Sequence, residues 1–298
     1  MCGIVGYSST SKSIELSKFV SMIKSLDYRG YDSWGFTFKD KDHLTTEKQV
    51  GKIPTPNQKG NATFVIGHTR WATHGKVTED NTHPHISNSK NISLVHNGII
   101  ENYEELKNKL KKEGFTFYGE TDTEIIPNLI EFHLRNSKDI LEAFKKTLDE
   151  LEGTFAITFL HNSSNKIFFA RRDSPLVVGV DKDALIVSSD VTSFIDRTKN
   201  VIYLEDGDYG YINSEIKILN RNKEVHREIS KIDWDVDKAK KGDFKHFMLK
   251  EISEQVDTVK QSLMQDSELI TAVANRIKSS KVYIVACGSS YNAAKAAE

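Results

Sequence analysis

The chain has 298 residues, enough for one large domain or two of medium size. Lys and Arg number 41 against 42 Asp and Glu, a net charge of -1, so no basic excess points to nucleic acid or to an anionic membrane surface. Two cysteines, Cys2 and Cys287, exclude a disulfide framework and set a reducing cytoplasm as the default; no signal peptide and no apolar run long enough to span a bilayer is read.

In chain order, Cys2 stands directly after the initiator methionine and opens the apolar run Cys2–Tyr7, which reads as a buried strand. A small second residue normally permits removal of Met1, leaving Cys2 with a thiol and a free α-amine. These groups titrate near about 8.5 and about 7.7–8.0, so nucleophile and base sit on one residue. An ordinary small residue chosen for packing is the other reading. Leu16, Phe19, Val20, Ile23 and Leu26 fall at helical spacing within Ser13–Leu26. Tyr28–Ser33 is a polar turn around Gly30, and Thr63–Ile66 and Ile92–Val95 read as strands. Asn102–Lys112 is a helix stopped at Gly114. Thr121-Asp122-Thr123-Glu124 matches a capping box that opens a helix carrying Ile125, Ile126, Leu129 and Ile130. Ser137–Leu151 is a further amphipathic helix. After Gly153 come short β runs, from Phe155–Leu160 to Ile216–Leu219, dense enough for packed sheets.

The texture changes near residue 230. Ser230–Lys245 is lysine-rich and reads as a solvated connector, with a binding patch as the alternative. Phe247–Leu263 and Ser267–Ile277 are helical. Lys281–Cys287 is strongly β and runs into Gly288-Ser289-Ser290, a strand, turn and helix start of the kind that cradles phosphate. A lone βα unit cannot bury both sheet faces, so the chain reads as ending inside a second domain.

Polar chemistry concentrates between residues 67 and 98, which hold five of the ten histidines. A metal site, hydrogen-bonded loop histidines and a substrate pocket are all open on residue types alone, although no cysteine or carboxylate is spaced with them as a metal motif. Arg70 offers a planar fork suited to a carboxylate, and Asn97 with the Gly98 N–H is apt for an oxyanion hole.

Cys2–Gly6, Tyr28–Ser33, Gly67–Gly75, His83-Pro84-His85, His96-Asn97-Gly98 and Glu120–Glu124 stand in the order seen in class II glutamine amidotransferases. With Arg171–Val180, Leu204–Asp208, His246–Gln255 and Val285–Tyr291, the whole chain resembles the glutamine–fructose-6-phosphate aminotransferase family. The resemblance implies an α+β fold: a four-layer αββα N-terminal-nucleophile hydrolase sandwich over 1–229, a linker over 230–245, and over 246–298 the truncated start of an α/β sugar isomerase (SIS) domain. It implies that Cys2 attacks the glutamine amide with its own α-amine as base, while Asn97 and Gly98 hold the oxyanion. Arg70 binds the α-carboxylate of glutamine and Asp122 its α-ammonium. Thr73 and His74 complete the pocket, Trp71 gates ammonia, Arg29 and Gly30 lie near the nucleophile, and His83 supports the pocket. Ser289 and Ser290 form part of a sugar-phosphate site. L-Glutamine and, in the full-length enzyme, fructose 6-phosphate are the implied substrates and a homodimer the implied assembly, with no cofactor, metal, nucleic acid or membrane.

On residue type alone Asp122 reads better as a helix N-cap than as a ligand to the substrate, and Trp71 also reads as a packed aromatic, Arg29 as a surface ion-pair partner, and Ser289 and Ser290 as a polar turn. Trp34, Val77, Ser289 and Val256 depart from the family pattern. Amidophosphoribosyltransferase and asparagine synthetase share the Cys2 chemistry, and an inactive binding partner of a full-length homologue is the alternative of a different class.

Overall fold

The computed structural model describes residues 2–9, 11–72, 75–137, 139–233, 244, 247–264 and 266–296. The chain divides into two compact units, Met1–Lys240 and Lys241–Glu298.

The first unit is built on two antiparallel sheets, with strands numbered along the chain. Sheet one runs in spatial order β17 (Ile229–Lys231), β13 (Asn200–Tyr203), β11 (Val177–Val180), β12 (Leu185–Ser188), β1 (Gly3–Ser8), β6 (Phe64–Arg70), β3 (Ser33–Asp40) and β4 (His43–Val50). Sheet two runs β16 (Lys223–Glu224), β15 (Ile216–Asn220), β14 (Tyr209–Ile212), β10 (Ile167–Arg172), β9 (Gly153–His161), β8 (Ile92–Ile100) and β7 (His85–Ile86). A small ladder joins β2 (Ile14–Glu15) to β5 (Asn61–Ala62).

Three apolar clusters fix the layers. Ile4, Ile66, Val95, Leu160, Phe169 and Val187 come from both sheets and interlock between them. Val5, Tyr7, Phe36 and Val65 face outward from sheet one and meet Phe19, Val20 and Ile23 of α1 (Leu16–Lys24). Phe155, Phe159 and Phe168 face outward from sheet two toward α2 (Tyr103–Lys112), α3 (Ile125–Leu134) and α4 (Ile140–Glu150). The result is the αββα sandwich. β1 is buried on both faces, which is why its sequence is continuously apolar rather than alternating.

All five apolar positions spaced for the first helix are buried. The helix starts at Leu16 rather than Ser13 because Ile14 and Glu15 are taken into the β2–β5 ladder. Gly114 does end α2, at φ +88.

The β3–β4 hairpin was absent from the elements expected. Its inner strand carries Trp34, Phe36 and Phe38 on alternate positions, a period-two signal, and Trp34 and Phe36 stack 6.3 Å apart. Its outer strand is an edge, largely polar and exposed, so it carries little apolar pattern. β8 runs on through His96-Asn97-Gly98 to Ile100, beyond the Ile92–Val95 expected. The capping box at 121–124 is not formed. Glu124 is the N-cap of α3 without a side-chain cap bond, and its carboxylate instead accepts the N–H groups of Tyr118 at 2.9 Å and Gly119 at 2.8 Å. Residues 230–232, read as the start of the connector, add to sheet one: Ser230 pairs with Val201 and Ile232 is buried.

In the second unit α5 (Phe247–Leu263), α6 (Ser267–Lys278) and α7 (Gly288–Ala296) follow one another. Asp266 caps α6 by accepting the Glu268 N–H at 2.8 Å. Lys281–Cys287 takes no strand structure, because no described residue of this unit supplies a second strand to pair with it. No helix among the described residues is long and apolar enough to cross a membrane.

Phe159 is fully buried, edge-on to Phe144 at 4.9 Å and stacked on Phe168 at 4.7 Å, so it joins sheet two to α4. Phe159→Ala is expected to cost about 3–5 kcal/mol in denaturant unfolding. A loss under about 1 kcal/mol would mean that the helix layer does not rest on this ring.

Candidate active site

The first residue of β1 decides where the site lies. Gly3 pairs with Thr69 across the β1–β6 ladder, so antiparallel pairing delivers Arg70 and Trp71 to the side of Cys2. β3 pairs with the other edge of β6, with Ser33 opposite Arg70, so the 28–32 turn arrives at the same end. A Cβ on Gly30 would lie 2.6 Å from the Arg70 carbonyl carbon and 2.8 Å from Trp71 N. Only glycine lets that turn press against the Arg70–Trp71 peptide. Asp32 ties the same segment down: its Oδ2 accepts the Ala72 N–H at 2.8 Å, and its N–H donates to Arg70 O at 3.0 Å.

Cys2 Sγ accepts the Trp71 N–H at 3.2 Å. The Cys2 main-chain carbonyl accepts two more bonds, from Arg29 Nε at 3.1 Å and Asn97 Nδ2 at 2.9 Å. Arg29 is buried and pairs with Asp190 at 3.3 Å, so its ion pair is an internal one rather than a surface one. Burial pushes the Cys2 thiol up, while the Trp71 N–H and the charges of Arg70 and Arg29 pull it down.

Cys2, Arg70, Trp71, His83, Gly98 and Asp122 line one pocket, with His96, Thr121 and Thr123. Gly98 has φ +130, and a Cβ there would stand 2.0 Å from Thr154 O, so the position admits only glycine. Asp122 Oδ2 accepts the Ile100 N–H at 2.8 Å; it does not cap α3. Arg70 Nη1 donates to Lys76 O at 3.1 Å. Burial lowers the Arg70 pKa, and Cys2, Asp32 and Asp122 raise it. Trp71 is exposed and meets Tyr31 edge-on at 5.5 Å. Thr73 and His74 lie outside the described residues. Ser289 and Ser290 lie in the first turn of α7 in the second unit.

Behind the pocket stands a histidine cluster. His68 and His83 stack at 4.1 Å, and His85 meets His83 edge-on at 4.7 Å. Thr123 Oγ1 lies 3.1 Å from His83 Nε2 and 2.9 Å from His96 Nδ1, and Thr121 Oγ1 lies 3.0 Å from His85 Nε2. The two threonines that resembled a capping box therefore serve the histidines. Nothing in the sequence pairs them with residues 27 to 40 positions upstream. Asp32 and Asp190 are likewise not singled out by type or spacing. Among the described residues, no group of three or more His, Cys, Asp or Glu is arranged to hold a metal ion. A larger cavity of about 550 Å³, lined by Lys48, His85, Asn88 and Glu124, lies on a wall that includes none of the candidate catalytic residues.

Two outcomes follow from this geometry. Gly30→Ala is expected to displace the Trp71 N–H from Cys2 Sγ and so raise the pH midpoint of iodoacetamide alkylation at Cys2; an unmoved or lowered midpoint would contradict that contact. The second concerns stability. Burial first of all drives His68 from 6.5 down to about 3, His83 and His85 well below 6.5, and His96 downward. Below 6.5 the unfolded chain binds protons that the folded chain refuses, so stability is full above that pH and falls beneath it. Each such histidine lowers the unfolding free energy by about 1.4 kcal/mol per pH unit until its folded pKa is reached. Denaturant midpoints at pH 7, 6 and 5 should drop in sequence; equal midpoints would mean that these rings titrate normally.

Comparison with known proteins agrees with the geometry. A family model described as a glutamine amidotransferase domain matches residues 68–196. Glutamine–fructose-6-phosphate aminotransferase (isomerizing) of Sulfurisphaera tokodaii is 38% identical over 98% of this chain and 52% of its own length. The enzyme of the same name from Methanococcus maripaludis is 39% identical over 100% of this chain and 52% of its own. The chain thus spans about half the length of the curated relatives it matches. A solved structure, the glutamine phosphoribosylpyrophosphate amidotransferase from B. subtilis, superposes with a TM-score of 0.61 at 26% identity, covering 74% of this chain and 49% of that one. Over residues 68–196 the chain carries a glutamine amidotransferase domain, its sandwich is the N-terminal-nucleophile fold, and almost its whole length is related to about half the length of glutamine–fructose-6-phosphate aminotransferases.

Proposed function

We propose that the first unit hydrolyses L-glutamine through Cys2. The observation that carries the reading is the convergence on one pocket of the Cys2 thiol, a cationic fork at Arg70 and a carboxylate at Asp122. Once Met1 is removed, the α-amine of Cys2 takes the thiol proton as Sγ attacks the side-chain amide carbon of glutamine. Asn97 Nδ2 carries two protons. One is given to the Cys2 carbonyl, and the other is left for the oxyanion together with the Gly98 N–H. The protonated amine returns its proton to the leaving nitrogen, which departs as ammonia and leaves a γ-glutamyl thioester. Water attacks the thioester, glutamate leaves and the thiol is restored. Arg70 and Asp122 grip the α-carboxylate and α-ammonium of the substrate. Thr73 and His74 complete that grip, His83 supports it, and Trp71 gates the ammonia.

In the whole protein the ammonia goes to fructose 6-phosphate, giving glucosamine 6-phosphate. We assign residues 1–229, with the short extension to 232, to the glutaminase domain and 246–298 to the start of a sugar isomerase domain, where Ser289 and Ser290 contribute to the sugar-phosphate site. The complete enzyme is a cytoplasmic homodimer in this reading.

The test is the intact mass of the purified chain before and after 6-diazo-5-oxo-L-norleucine, with Cys2→Ala beside it. Loss of Met1 and a single adduct that disappears in the variant are expected. Retained Met1, or labelling that persists without Cys2, would defeat the reading. The 298-residue chain is expected to release glutamate from glutamine but to make no glucosamine 6-phosphate.

A further inference from the structure

His68 lies fully buried on β6, beside the pocket lining rather than in it. Its Nε2 is 3.1 Å from the His96 carbonyl oxygen and 3.0 Å from Asn97 Oδ1. A carbonyl oxygen only accepts, so Nε2 carries the proton. The Cys2 carbonyl on the far side of Asn97 also only accepts, so it must face the amide nitrogen, as it does at 2.9 Å. Two backbone carbonyls thus assign the imidazole tautomer and the amide orientation independently, and the two assignments agree. His68 Nδ1, by contrast, is buried without a partner among the described residues. An aliphatic side chain would fill this place without an unpaired nitrogen, so packing alone does not account for the histidine. His83, stacked at 4.1 Å with 25° between ring planes, holds the ring in its plane.

We propose that His68 is a positioning residue whose Nε2–H locks the Asn97 carboxamide with Nδ2 turned to the nucleophile. The donor for the oxyanion is then in place before glutamine arrives. An amide free to flip would present its oxygen to the developing negative charge instead. The inference rests on the glutaminase reading and deepens it.

Glutamine hydrolysis by the purified chain is compared among wild type, His68→Leu and His68→Gln. Loss of a whole oxyanion donor costs about 10²–10³ in kcat, so loss of its lock in His68→Leu is expected to cost at least about tenfold. KM should stay within about threefold, because the contact acts on the transition state rather than on substrate binding. His68→Gln, which keeps an N–H donor, should recover most of the loss, and all three should still be labelled at Cys2. An unchanged kcat in His68→Leu, or a Gln variant as slow as the Leu variant, overturns the proposal. Nitrogen-15 histidine NMR of the wild-type chain is independent of how the variants fold. The Nε2–H tautomer is expected for His68, and the Nδ1–H tautomer overturns the lock. If the wild-type chain neither hydrolyses glutamine nor labels at Cys2, the glutaminase reading fails, while the tautomer still decides the His68 contact.

Discussion

The structure depends on how the beginning of the chain is held. A terminus normally frays, since it has a neighbour on one side only. Here the Cys2 carbonyl is gripped by Arg29 and Asn97, and its sulfur by the Trp71 N–H. Next along, Ser188 Oγ donates to Ile4 O at 2.8 Å and Ser189 Oγ accepts the Ile4 N–H at 2.9 Å. These partners come from the 28–32 turn, from the residue after β6, from β8 of the facing sheet, and from the end of β12 with the residue that follows it. Four distant parts of the chain must fold before the first residue has a place. The placement of Cys2 is therefore a product of the whole sandwich rather than of a local motif.

That arrangement also sets the chemistry at the sulfur. Burial works against the thiolate, and the donors around it work for it, so the reactivity of Cys2 is a balance held by neighbouring main chain and two arginines. A main-chain donor suits this task because its neighbours are fixed, Arg70 O and the Ala72 N–H both being bonded to Asp32. Gly30 serves the same end by letting the turn close on the peptide that supplies the Trp71 N–H. The buried histidines extend the idea inward. They stay neutral, give and take single hydrogen bonds with Thr121 and Thr123, and connect the pocket wall to the strand that carries Asn97. Ring nitrogens of His68 and His83 that lack a partner among the described residues are a stability cost that a purely structural core would not carry.

Legibility differed by element for physical reasons. The α1 helix and the strands after Gly153 were readable, because buried faces impose period and density on the sequence, whereas the layer order came only from the family resemblance. The β3–β4 hairpin was missed because its outer strand is an exposed edge with little apolar signal, although Trp34, Phe36 and Phe38 alternate. The 121–124 segment looked like a cap because the residue types that cap helices are also those that bond imidazoles and backbone amides. Lys281–Cys287 has strand composition without a partner, and composition alone does not make a ladder.

The sequence by itself determined the candidate nucleophile, the residue types of the pocket and the family resemblance. Cys2 at the chain start, the Arg70 and Asp122 charges and the His96-Asn97-Gly98 run are local facts that need no fold to be seen. Only the tertiary structure decided which atoms meet. Antiparallel register placed Trp71 N–H on Sγ, facing sheets brought Asn97 to the Cys2 carbonyl, and burial took Arg29 and four histidines out of water. Hydrogen bonds and desolvation depend on distances between residues far apart in the chain, and spacing along a sequence does not contain those distances.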